Sequence, residues 1–149
     1  MRSVDLKLLL PGLRGHRVHV VPAADEGKVR AALTGAGFEI VTLAGSAITN
    51  VSTLFEEMAR AFRFPDYFGH NWAALLDCLR DLRGRESTRI ALLWVDAGAS
   101  LEADLQTFLD ASEVLVEVAS ELAEDDEFGE AHQLEVFLLG AGPGFAASA

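Results

Sequence analysis

The stretch FRFPDYFGHNWAALLDCLRDL, residues 62–82, decides the reading of this chain. Pro65 fixes its own φ and biases Phe64 towards an extended conformation, so a preceding helix should stop there. Gly69 is expected to supply a backbone turn that a Cβ would resist. Asn71 follows as a helix N-cap, its side chain accepting from a free N–H one turn in. Trp72, Leu75, Leu76, Leu79 and Leu82 then recur at three- and four-residue spacing and form one buried stripe. Ala73, Asp77, Arg80 and Asp81 lie on the other side. The stretch predicts an aromatic loop carrying Tyr67 and Phe68, then a helix whose watered face centres on Asp77.

Upstream, residues 1–15 have no clear period, and their first few are expected to be loosely held. His16–Val21 reads as a strand, Ala24–Leu33 as a helix with Val29, Ala32 and Leu33 inward, and Phe38–Leu43 as a second strand, which implies a parallel crossover. A helix follows, capped by Asn50 or Ser52, with Val51, Leu54, Phe55, Met58 and Phe62 inward and Glu56, Glu57 and Arg60 paired on the exposed side. Downstream, Arg80, Arg83, Arg85 and Arg89 read as a solvated helix end. The apolar run Ile90–Val95 reads as a strand covered on both faces. Ser100 is expected to cap a short helix carrying Leu101, Leu105, Phe108 and Leu109. Ser112 is expected to cap the next, with Val114, Leu115, Val118 and Leu122 inward and Glu113, Glu117, Glu121 and Glu124 outward. Residues 124–130 form an acidic loop, Gln133–Leu139 the last strand, and the Gly/Ala-rich tail frays. The expected fold class is α/β, one domain with a mainly parallel sheet of about four strands.

The first 89 residues hold all 12 Lys and Arg with 10 Asp and Glu; residues 90–149 hold 13 Asp and Glu and no Lys or Arg. A net charge of −11 repels nucleic acid and attracts a basic partner, although solubility alone explains acidity equally well. No apolar run approaches the roughly 20 residues that span a membrane. No secretory leader is evident, and the single Cys78 permits no internal disulfide, so a cytoplasmic location is expected. Cys78 reads as a small buried side chain.

Signs of an enzyme are weak. The chain has no glycine-rich phosphate loop, no paired-cysteine metal motif and no nucleophile elbow. His16 and His19, three apart on one strand, read as surface imidazoles; His70 and His132 have no spacing that makes them an acid–base pair. No cofactor or metal is expected. On residues alone Asp77 reads as a solvated helix position, and Tyr67 as either a packed or an exposed loop aromatic. Together they have the make-up of a hot spot for a cation such as Arg.

The segment FPDYFGHNWAALLDCL resembles the central loop and helix of the barstar family, intracellular inhibitors of secreted ribonucleases. The likeness runs without gaps from about Ile48 to about Leu82. It includes Pro65, Asp66, Tyr67, Phe68, Gly69 and Asn71, then Leu75, Asp77 and Leu79, and Trp94 beyond. It implies a three-stranded parallel sheet with packed helices over a core of about residues 38–140, with residues 1–37 added at one sheet edge. It also implies a partner-binding surface built from Tyr67, Phe68, Gly69, His70, Asn71, Ala73, Asp77, Arg80 and Asp81. A further family glutamate falls at Ser120 or Glu121. One family carboxylate falls on Ala73, which has none. The expected function is that of an inhibitor or immunity protein, monomeric when free. It would block the active site of a basic ribonuclease or related toxin, with its acidic helix face standing in for phosphate. The alternative is an interaction module or small enzyme of this fold without a ribonuclease target.

Overall fold

A strand that is apolar at every position needs cover on both faces. The computed structural model, which describes residues 3–124 and 129–145, gives the run Ile90–Val95 that cover. The strands are β1 (Arg14–His16), β2 (Val18–Pro22), β3 (Glu39–Ala44), β4 (Arg89–Val95) and β5 (Gln133–Gly140). They form one sheet in the order β1-β2-β5-β4-β3. β2, β5, β4 and β3 are parallel, and β1 folds back antiparallel on β2. Among the described residues six α-helices surround the sheet: α1 (Leu6–Leu9), α2 (Glu26–Gly35), α3 (Val51–Phe62), α4 (Trp72–Arg80), α5 (Ala97–Ala103) and α6 (Leu105–Leu122). Alternation along β4 sorts the core. Ile90, Leu92 and Trp94 join a cluster with α3, α4 and α6, whereas Ala91 and Leu93 join one with Leu6, Leu10, Val29, Leu33 and Phe137.

Residues 1–37 therefore do more than extend an edge. β2 sits beside β5, but α2 packs across the far face against β3, so the parallel strands β2 and β3 have two strands between them. A fifth strand replaces part of the single strand expected over His16–Val21. Arg17 adopts φ 66°, and Gly15, at φ 106°, would drive a Cβ into the Val18 carbonyl, so the chain turns back between β1 and β2.

Two expectations fail on burial. Glu57 is not on an exposed face: its side chain is 7% exposed. Its carboxylate accepts from the Ala44 N–H on the β3 edge at 2.6 Å and from Arg60 Nε and Nη2 at 2.5 and 2.6 Å. Arg60 Nη2 also donates to the Thr42 carbonyl, so this pair covers an open sheet edge. His19 is not a surface imidazole; it is buried, stacks on Phe137 and lies 2.9 Å from Glu135 Oε1. The short helix expected to carry Leu101, Leu105, Phe108 and Leu109 is split between α5 and α6; α6 runs through Ser112 from an Asp104 cap, and Leu101, Leu105 and Leu109 are exposed. Ser112 instead donates its hydroxyl back to the Phe108 carbonyl. The expected acidic loop falls mostly on residues 125–128 and the end of the tail on 146–149, both outside the described residues. Within the tail, Phe145 packs against the core.

Candidate functional site

The loop between α3 and α4 is held from below. Arg63, in the left-handed region at φ 55°, ends α3 before Pro65 is reached, and its N–H bonds the Ala59 carbonyl. Phe68 is buried, not presented: it meets Phe55, Phe64 and His70 at ring separations of 6.2, 5.1 and 4.9 Å. The left-handed turn residue is His70, at φ 48°, rather than Gly69. His70 itself is exposed. Asn71 caps α4, accepting from the Ala74 N–H at 2.8 Å, and its amide donates back to the Gly69 carbonyl at 3.1 Å. That double attachment ties the loop to the helix. Above the buried Phe68 stands Tyr67, 80% exposed, with no hydrogen bond or ring contact among the described residues.

On α4, Leu75 and Leu79 are buried and Leu82 follows them inside, while Trp72 and Leu76 are half-buried. Ala73, Asp77, Arg80 and Asp81 are exposed, as the stripe requires. The Asp77 side chain is 77% exposed and lies 3.7 Å from Arg80 Nη1. Arg80 turns towards α6 and holds Glu121 with two bonds, Nε to Oε2 at 2.7 Å and Nη2 to Oε1 at 2.9 Å. That hydrogen-bonded pair pushes the Glu121 carboxyl below its ordinary value and the Arg80 guanidinium above its own. Asp77, Arg80 and Glu121 thus form a connected group. No hydrogen bond joins Tyr67 to it.

The basic cluster of Arg80, Arg83, Arg85 and Arg89 is not a solvated helix end. Arg83 donates to the carbonyls of Glu121, Glu124 and Glu130, closing the C-terminus of α6. Arg85 bonds the Phe62 carbonyl and Arg89 the Ala36 carbonyl. The cations near the face are engaged in holding the fold.

Sequence reasoning missed the neighbouring wall. A cleft of about 230 Å³ lies between α4 and α6, lined by Trp72, Asp110, Glu113, Val114 and Glu117. Helical spacing marked Glu113 and Glu117 as outward, but nothing local indicates which helix α6 packs beside. Carboxylates from α6 therefore supplement a helix that has only Ala73 at one of its exposed turns. Cys78 lies on the flank of α4, and burial first, then Asp81 and Asp77, push its thiol up. Among the described residues, no group of three His, Cys, Asp or Glu side chains is placed to hold a metal ion, and no helix is long and apolar enough to cross a membrane.

A mostly parallel sheet with helices packed around it, an aromatic loop and an exposed carboxylate on α4 make up an α/β domain. Residues 38–136, more than half of the chain, match the family model described as Barstar (barnase inhibitor). The chain belongs to the barstar family, whose members are inhibitors rather than enzymes. No curated protein matches the chain.

Proposed function

We propose that this protein binds and blocks the active site of a basic ribonuclease. The observation that carries the reading is the pairing of two exposed groups on rigid supports. Tyr67 stands on the buried Phe68 and the Asn71 cap, and Asp77 projects from mid-α4. A ribonuclease active site presents Arg, Lys or His groups spaced for phosphate, and a fixed carboxylate can occupy that place. Glu113, Glu117 and Asp110 supply the remaining negative charge, in the stead of a carboxylate at Ala73. Arg80 does not oppose the approach, because Glu121 holds it. Gly69, His70, Asn71 and Asp81 border the same surface, and Phe68 supports it from inside.

The direct test is inhibition. RNA hydrolysis by barnase, the enzyme in the family description, is followed as this protein is titrated in. Loss of activity at a one-to-one ratio supports the reading. Full activity at excess inhibitor, repeated with other basic ribonucleases, rejects it in favour of an interaction module without a ribonuclease target.

A further inference from the structure

The outer flank of α6 carries apolar side chains that the core does not use. Leu105, Leu109 and Val116 are 54, 50 and 40% exposed, and their spacing of four and seven residues puts them on one face. Beside them an open cleft of about 550 Å³ is lined by Val18, Ser112, Glu113, Val116 and Glu117. Val18 comes from β2, so the N-terminal extension builds one wall of the groove. Exposed leucines and valine in a row are costly in water, and a patch of this kind marks a contact surface.

The charge around the groove selects among occupants. Glu113 and Glu117 form one rim, and residues 90–149 hold no Lys or Arg to offset them. On the other side, Arg17 is directed to Glu135 and Arg14 to the Gly144 carbonyl. A second copy of this chain would set carboxylate against carboxylate. We propose that the groove takes an amphipathic segment of a partner protein, with an apolar edge seated on Leu109 and Val116 and Lys or Arg along the edge facing Glu113 and Glu117. The groove shares its Glu113 and Glu117 rim with the cleft beside α4, but Val18, Ser112 and Val116 lie outside that cleft, and this inference does not rest on the ribonuclease reading.

The probe is a pair of labelled helical peptides with leucines at i, i+4 and i+7, identical except that the flanking positions are all Lys or all Glu. Fluorescence anisotropy against the full chain should show binding of the Lys peptide only, weakening with salt. Leu109→Ser and Val116→Ser should each weaken it about tenfold, the worth of one buried apolar side chain. Both positions are exposed, so melting temperatures should stay unchanged; Leu105→Ser serves in place of either that unfolds. Failure of the Lys peptide to bind, equal binding of both peptides, or indifference to all three substitutions overturns the proposal. So does sedimentation showing a dimer that Val116→Ser dissolves, since the groove would then be filled by a second copy.

Discussion

Replacing Glu57 by Ala should destabilise the fold by about 2.5–4.5 kcal/mol, far beyond what an i,i+3 pair on a helix surface supplies. Arg60 is 60% exposed and regains water when its partner is lost, so the guanidinium itself costs little. The Ala44 N–H cannot do the same within a half-buried edge. Leaving such a donor unsatisfied costs about 1–3 kcal/mol, and the charge-assisted bonds that vanish add roughly 1.5. Urea unfolding at pH 7, read by tryptophan fluorescence, gives the difference as a shift in midpoint at constant slope. pH supplies a second axis. The hydrogen bonds from Arg60 hold the Glu57 carboxyl below its ordinary value of 4.5, opposed by its burial. Its ionised form therefore stabilises the fold fully above that value. The contribution fades as pH falls from about 4.5 through the lower folded-state value, and the gap between wild type and Glu57→Ala should narrow there. A cost under about 0.5 kcal/mol at pH 7, the level of an exposed pair, would refute the reasoning.

Asn71→Ala should cost about 0.5–2 kcal/mol through loss of the α4 cap, measured by thermal unfolding, and should loosen Tyr67 because the Gly69 tether goes with it. Native Cys78 should react slowly with a thiol reagent at pH 8, since its thiol is pushed up by burial and by Asp81 and Asp77. Cys78→Ala should leave partner binding intact; fast labelling of the native protein would contradict the placement of that flank.

Local pattern makes the four parallel strands, α3, α4 and the Asn71 cap legible, because spacing and capping chemistry are properties of a few neighbouring residues. What stayed hidden depends on distant partners. Glu57 looks like a surface residue until the β3 edge arrives with an unpaired N–H, and His19 does until Glu135 and Phe137 pack on it from β5. The left-handed residues Arg63 and His70 carry no local signal, and Gly69 beside His70 is the residue that sequence alone favours for the turn. Ser112 has the local context of a cap because it precedes an apolar repeat, yet a hydroxyl can equally donate to the preceding turn. On the candidate face, Tyr67 and Asp77 stand exposed on rigid supports. The Glu113 and Glu117 wall required knowing that α6 lies beside Trp72.

On the proposed function, one carboxylate, Asp77, rather than a diffuse acidic field, captures the basic partner. Asp77→Ala and Asp25→Ala remove the same charge. Asp25 sits just before α2, the helix on the opposite side of the sheet, and so reports the field alone. Dissociation constants and rates for barnase are measured by surface plasmon resonance for wild type and both variants. Asp77→Ala should weaken the complex by about 2–5 kcal/mol, mostly as faster dissociation, while Asp25→Ala changes only the association rate and slightly. Equal losses from the two substitutions, carried by association rates alone, would contradict the account.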